Sequence, residues 1–433
     1  MGHAARVARV ALVWRAVCVL LLVVGARMQH AFDTSATLMF DTLRVRAAWG
    51  AAAFVRWDTV YFVAAAAPTH GYAYEQMLAF QPGTPALLRI LGYAPRLRDA
   101  SAPWSASAAV LLTAALANAA AVAAPVLLYH VTLLQTQSRA FAQRAAIFSV
   151  FAPASGAALC APTPEPFFSL FSLVGMYLLA AHAPCRRVCA RSVLAAAAFA
   201  AATSFRANGV LLAGFLVWSV LWVPLFPGAR AARRVLPHAV RRAPALAALV
   251  ALATAPFFLF QAWGAAHLCG APAAPRWCAS TWPLPYSYVQ EKYWNVGFLR
   301  YWEPAQIPNF ALAAPMLALG AYGCVAYVGD VGSASILCTT CTPWRHPRAV
   351  RAGLARVDVA YVYHTAVLLL VLLFASHVQI VLRMGSPGGL PMLWWAAAAL
   401  WERRPRAGRL LAWYLVGYSL VGGVLYGGFL PPA

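Results

Sequence analysis

Eleven carboxylates are spread over 433 residues, so any reaction that needs a fixed negative charge or a proton acceptor must draw on very few groups. Asp58 leads them. It follows Trp57, with Tyr61 and Phe62 one helical turn on. A carboxylate partly desolvated by aromatic rings is suited to take a proton from a hydroxyl nucleophile. An ion pair with Arg56, or a helix cap, would use the same residue types equally well. Glu165 stands in Pro164-Glu165-Pro166 and reads either as a charged site group or as an exposed turn residue. Arg206-Ala207-Asn208-Gly209 falls between two apolar runs. An arginine at that depth is a functional-site hypothesis, able to grip a phosphate bidentately, with snorkelling to the interface as the plain alternative. His364, His377 and Gln379 share one apolar segment that ends at Arg383. Such histidines serve either chemistry or a neighbouring helix, and Arg383 is a second candidate for phosphate.

Two polar stretches add aromatic material. Residues 267–305 carry Trp277, Trp282, Tyr286, Tyr288, Tyr293, Trp294, Tyr301 and Trp302. These rings suit a membrane-interface belt or a surface on which sugars stack, and the sequence does not separate the two. Gly71-Tyr72-Ala73-Tyr74-Glu75 precedes Pro82-Gly83-Thr84-Pro85, a rigid turn.

The elements that must position these groups are apolar helices. The chain is 63% hydrophobic and 10% charged, with mean hydropathy +0.68, whereas soluble domains carry about 25% charged residues. Apolar runs lie near 7–26, 105–134, 145–161, 166–183, 192–206, 209–227, 244–266, 306–328, 358–382, 390–401 and 409–430. This predicts an all-α polytopic membrane protein with about nine to eleven spans. The 192–206 and 390–401 runs are short for a bilayer. The run 7–26 reads as a retained signal anchor, since arginines flank and enter it without a clear cleavage site.

Arginines then cluster between runs: Arg139 and Arg144; Arg186, Arg187 and Arg191; Arg230, Arg233, Arg234, Arg241 and Arg242; Arg345, Arg348, Arg351 and Arg356; Arg403, Arg404, Arg406 and Arg409. With the N-terminus cytosolic, every cluster falls on the cytosolic side. The opposite face then receives 27–104, the tips near Glu165 and Arg206, 267–305 and 383–389. An extra span at 47–67 would invert this pattern and bury Arg56 and Asp58, so 27–104 is read as one extra-cytosolic loop with interfacial helices. The organisation expected is a single membrane domain, 1–433: anchor 7–26, first loop 27–104 with the candidate site, bundle 105–266, aromatic loop 267–305 and C-terminal helices 306–433.

Other classes fit poorly. A net charge of +22 could suggest nucleic acid, but the arginines form short clusters rather than a continuous basic face with stacking rings. Cys338 and Cys341 form a lone CxxC, where structural zinc needs about four ligands. Cys269 and Cys278 share one loop and can pair if it faces an oxidising lumen. A transporter would place polar pairs at mid-bilayer between internal repeats, and no repeat is evident.

The order of motifs resembles the PIG-V type family, GPI mannosyltransferase 2. The likeness runs through Trp57-Asp58-Thr59-Val60-Tyr61-Phe62, Gly71 to Glu75, Phe80-Gln81-Pro82-Gly83-Thr84-Pro85 and Arg206 to Gly209. It continues through Tyr286-Ser287-Tyr288-Val289-Gln290, Tyr293-Trp294-Asn295-Val296-Gly297-Phe298-Leu299-Arg300-Tyr301-Trp302 and Gln306-Ile307-Pro308-Asn309-Phe310, then His377-Val378-Gln379 to Arg383 and Phe429-Leu430-Pro431. The Tyr-Trp-Asn-Val-Gly-Phe block is the most specific part. The resemblance implies a GT-C-type glycosyltransferase with luminal loops, in the endoplasmic reticulum membrane. It would add the second, α-1,6-linked mannose of the GPI precursor from dolichyl-phosphate mannose. In fungal members a small membrane accessory subunit assists. The matching motifs make Asp58 the expected catalytic carboxylate. They make Trp57, Glu75, Gln81, Glu165, Arg206, Asn208, Tyr293, Trp294, Asn295, Arg300, His377, Gln379 and Arg383 the expected substrate-binding residues. Ala207 departs from the small polar residue expected there. No Asp-x-Asp occurs, so neither an obligatory metal nor another cofactor is expected beside the lipid-linked donor. Expected partners are the two glycolipids, membrane lipid and the accessory subunit, without nucleic acid.

Overall fold

The computed structural model describes residues 2–43, 49–181, 189–225, 235–270, 274–280, 284–342 and 353–430. Arg186, Arg187, Arg230, Arg233, Arg234, Arg345, Arg348 and Arg351 of the arginine clusters, together with Trp282 and Pro431, lie outside the described residues.

The described chain is helical from end to end. A long helix α1 (His3–Met28) is followed by four short ones, α2 (Ser35–Thr42), α3 (Trp49–Ala52), α4 (Asp58–Ala66) and α5 (Gly83–Gly92). The bundle continues with α6 (Ala106–Thr136), α7 (Arg139–Val150), α8 (Glu165–Ala180), α9 (Ala190–Phe205), α10 (Ala213–Val217) and α11 (Val235–Leu268). After α12 (Pro285–Trp294) come α13 (Ile307–Val331), α14 (Ser333–Cys341), α15 (Val359–Phe374), α16 (Ile380–Met384), α17 (Pro391–Arg403) and α18 (Pro405–Gly427).

Among the described residues, six helical segments are long and apolar enough to cross a membrane: His3–Met28, Ala106–Thr136, Ala207–Leu225, Ala239–Leu268, Pro304–Val331 and Pro405–Gly427. α8, α9 and α15 are apolar but have 16 residues each, about 24 Å at 1.5 Å per residue against a hydrocarbon core of about 30 Å. The chain is therefore a multi-pass membrane protein. Alanine sets how closely its helices approach. Ala117, Ala120 and Ala124 of α6 are buried in the same core as Leu173 and Met176 of α8, and small side chains allow close helix contact in lipid.

Two expectations change. The 145–161 run is not one helix. α7 stops at Val150, a 3-10 turn occupies Pro153–Gly156, and the chain stays irregular to Pro164. Pro153 lacks the N–H that a continuing helix needs. Irregular backbone at this depth must find donors within the protein. Arg15, buried in α1, supplies one to the Ser155 carbonyl at 2.8 Å, and the Asn118 amide donates to the Cys160 carbonyl at 2.9 Å. The short 390–401 run is explained by its surroundings. On α17, Trp394 and Trp395 are wholly buried, so this helix is a core element sheathed by protein. The described part of the 47–67 stretch forms two short helices, α3 and α4, rather than one of span length.

Different contacts close the two ends of the bundle. Near the start of α1, His3 bonds Gln143, Arg144 pairs with Glu402, and Arg403 pairs with Asp330. At the other end of α1, Gln29 donates to the Val424 carbonyl at 3.2 Å, beside the α18 terminus that meets the first loop.

Candidate active site

Asp58 is the first residue of α4, and the backbone just before it is unusual. Trp57 has φ 50° and ψ −127°, a conformation that holds about 1–3 kcal/mol of strain in a non-glycine residue. Contacts with the chain's C-terminal end hold it there. The Trp57 indole N–H donates to the Leu430 carbonyl at 3.1 Å, and its ring lies 5.6 Å from that of Phe429. Arg56 donates to the carbonyls of Ala52, Val55 and Gly427, with its guanidinium over Phe429. Tyr426 donates its hydroxyl proton to the Arg56 carbonyl at 3.2 Å and so accepts from Thr59 at 2.9 Å. Arg56 is thus committed to backbone oxygens, and the ion pair weighed between it and Asp58 does not form.

The partner of Asp58 is Arg383, 2.6 Å from its carboxylate. The other side of the same guanidinium meets Glu165, at 2.8 Å from Nε and 2.7 Å from Nη2. Glu165 Oε1 also takes Arg206 Nη1, and Arg206 Nε donates to Asn208 Oδ1 at 3.3 Å. Four charges therefore form one chain, Asp58–Arg383–Glu165–Arg206. Burial works against the Arg383 charge, but Glu165 and Asp58 outweigh it and hold its pKa above the ordinary guanidinium range. Glu165 is only 1% exposed, so it is a buried anchor and not the exposed turn residue weighed above. Asp58, at 30% exposed, remains open.

Local packing fixes both arginines. At Gly83 a Cβ would stand 2.7 Å from the Ser204 carbonyl oxygen and 2.9 Å from the Phe205 ring. The start of α5, where the sequence suggested a rigid turn, is thereby pressed onto the end of α9, from which Arg206 emerges. At Gly388 a Cβ would fall 2.0 Å from the Ser169 carbonyl oxygen, and the Gly388 N–H donates to Ser169 Oγ at 2.7 Å. That contact locks α8, with Glu165 at its head, to the loop just after Arg383.

Two cavities meet at Asp58, Gln379 and Arg383. One, of about 310 Å³, is walled by Phe62, Phe80, Gln81, Arg206, Asn208, Tyr286, Gln290, Trp294 and His377. The other, of about 210 Å³, lies between Trp57, Thr59, Ala157, Thr163, Tyr418 and Tyr426. Burial pushes the Tyr286 phenol up, with Arg206 opposing.

The remaining expected residues divide. His377 Nε2–H donates to the Trp294 carbonyl at 2.5 Å and its ring stacks on Tyr301 at 4.5 Å, while the Tyr301 hydroxyl donates to Gln379 Oε1 at 2.8 Å. These position the cavity wall. Glu75 and Tyr293 stand apart from it. Glu75 accepts from Trp277 at 2.8 Å, Lys292 at 2.7 Å and Tyr293 at 3.0 Å, clasping the first loop to the aromatic one. Asn295 ends α12 in the left-handed conformation, φ 51°, and Arg300 pairs with Glu291 at 2.8 Å with both side chains about half exposed. Neither lines a cavity described here. Cys269 and Cys278 are joined by a disulfide. Sequence reasoning missed Thr163, Tyr418 and Tyr426. Nothing near Asp58 in sequence announces tyrosines on the last helix.

Fold and site together define a multi-pass helical membrane protein with a charged, two-chambered cavity at one end of its bundle. A family profile described as mannosyltransferase (PIG-V) matches residues 5–433. The GPI mannosyltransferase 2 of Cryptococcus neoformans is 31% identical over 420 residues, covering 93% of this chain and 92% of that protein. The Rattus norvegicus protein named GPI alpha-1,6-mannosyltransferase 2 is 30% identical over 384 residues, covering 81% and 74%. The Archaeoglobus fulgidus oligosaccharyltransferase aligns with 95% of this chain and 54% of its own, at 13% identity and TM-score 0.41, too remote to carry an argument. The chain belongs to the PIG-V mannosyltransferase family and is a mannosyl-transferring enzyme.

Proposed function

We propose that this chain transfers mannose from dolichyl-phosphate mannose to the GPI precursor, adding its second mannose in α-1,6 linkage. The single observation that supports this most is the charge chain Asp58–Arg383–Glu165–Arg206 along one cavity. A β-linked lipid phosphate donor and an α-linked product require one inversion at the anomeric carbon. The acceptor hydroxyl oxygen forms the new bond to that carbon as the carbon–oxygen bond to phosphate breaks. The electron pair leaves with the phosphate oxygen, and Asp58 takes the hydroxyl proton. Arg383 and Arg206 offset the charge gathering on the leaving phosphate. A phosphate leaves without a general acid, so one open carboxylate suffices.

Arg383 holds Asp58 when no substrate is present, and an arriving phosphate competes for the same guanidinium. Donor binding thus frees the carboxylate for the acceptor. The guanidiniums supply the positive charge, so the mechanism calls for no obligatory metal or other cofactor. Within this reading the architecture is GT-C-type and the membrane that of the endoplasmic reticulum. The site faces the lumen: the Cys269–Cys278 disulfide lies in the aromatic loop near it, and the described Arg144 and Arg403 lie at the opposite end. A small accessory membrane subunit belongs to the same reading.

The test is transfer by the purified protein in lipid nanodiscs, given synthetic dolichyl-phosphate mannose and a one-mannose GPI precursor. Gain of one α-1,6-linked mannose is expected. Transfer only to another acceptor, or only from another sugar lipid, would overturn the assignment.

A further inference from the structure

Gln81 sits between Phe80 and Pro82, 3% exposed, in the wall of the larger cavity. Both its Oε1 and its Nε2 lack a hydrogen-bond partner. A buried carboxamide offers two donors and two acceptor positions, and leaving all of them unmade is unfavourable. Several polar groups along that cavity already have partners: Arg206 meets Glu165 and Asn208, His377 the Trp294 carbonyl, and Gln379 Oε1 the Tyr301 hydroxyl. The backbone around Gln81 is held firmly, since Phe80 meets the rings of Tyr61 and Phe62 at 5.2 and 5.3 Å and Gly83 is pressed on the end of α9. The amide is therefore held in that wall without a hydrogen-bond partner.

We propose that Gln81 is the group that reads the hydroxyls of the transferred sugar. One face of a carboxamide can donate to one hydroxyl and accept from its neighbour, so it matches a pair of vicinal hydroxyls on a pyranose. The donor sugar is the occupant, because this cavity also holds Arg206 and Arg383, and the sugar is bonded to the phosphate those arginines take. The acceptor then approaches Asp58 from the smaller cavity, which shares Asp58, Gln379 and Arg383 with the larger one. This inference rests on the mannosyl-phosphate reading and adds the specificity element to it.

The test pairs Gln81→Met with dolichyl-phosphate donors carrying mannose or its 2-, 3-, 4- and 6-deoxy forms, using the full-length enzyme in nanodiscs. Gln81→Met removes the unpaired amide at similar volume, so its thermal midpoint should equal or exceed that of the parent. Its kcat/KM for the mannosyl donor should fall about 10- to 100-fold, the net worth of two ordinary hydrogen bonds. One or two deoxy donors should be poor substrates of the parent yet lose little more with Gln81→Met, because the contact is already gone. An equal further loss with every deoxy donor, or unchanged kcat/KM, overturns the role of Gln81 alone. A parent enzyme that discriminates against no deoxy donor overturns it without any variant. No transfer at all from the mannosyl donor would instead remove the functional reading beneath it.

Discussion

Glu165→Gln probes the charge chain at its most buried member. Glu165 Oε1 receives Arg383 Nε at 2.8 Å, Arg383 Nη2 at 2.7 Å and Arg206 Nη1, at 1% exposure. Removing one partner of a buried ion pair costs about 3–5 kcal/mol. Here the arginines keep 26% and 15% of their exposure, and a glutamine carbonyl still accepts, with roughly half the strength of a carboxylate. The expected loss is therefore about 2–3 kcal/mol of stability. Activity should suffer more than that figure suggests. Both guanidiniums lose the anchor that aims them, and a displacement of about 1 Å near reacting atoms can lower a rate about 100-fold. Thermal unfolding and mannosyl transfer would be measured on Glu165→Gln, Arg206→Gln and the double variant. A coupling of about 1–3 kcal/mol is expected for groups in direct contact. An unchanged midpoint with unchanged transfer, or strictly additive effects, would refute the reasoning.

Other outcomes follow from the same geometry. Glu75→Gln should loosen the clasp between the first and aromatic loops, lowering the thermal midpoint modestly and raising KM by less than about tenfold, since exposed pairs contribute about 0–1 kcal/mol. Trp57→Gly relieves the backbone strain but removes the ring and its bond to the Leu430 carbonyl; kcat should drop at least about tenfold, more than stability does, by parallel kinetic and melting assays. Exhaustive chelation with EDTA should leave mannosyl transfer unaltered, and a loss restored by a divalent cation would contradict the guanidinium-only account.

Some of this was legible in the sequence because the bilayer leaves so few choices. Hydropathy marked the long helices, and the described part of 47–67 forms two short helices rather than one of span length. What escaped was set by contacts distant in sequence. The break after Val150 depends on donors from Arg15 and Asn118, so an apolar run alone could not reveal it. The partner of Asp58 lies 325 positions away, at Arg383, where local pattern could offer only the neighbouring Arg56. Glu165 between its prolines read equally as a site group or an exposed turn residue, and only the meeting of α8, α9 and α16 makes it the joint between two arginines. Asn295 and Arg300 sit in the most specific motif, yet Asn295 ends a helix and Arg300 pairs on the surface. A distinctive motif can mark architecture as readily as chemistry.

In the proposed reaction Asp58 takes the acceptor's proton. Asp58→Asn, an isosteric change at a side chain 30% exposed, should leave insertion and abundance at parent levels. The measurement is single-turnover mannosyl transfer with both glycolipids saturating. A fall of about 100- to 10,000-fold is expected, the range a positioned general base contributes. Transfer at the parent rate would contradict it.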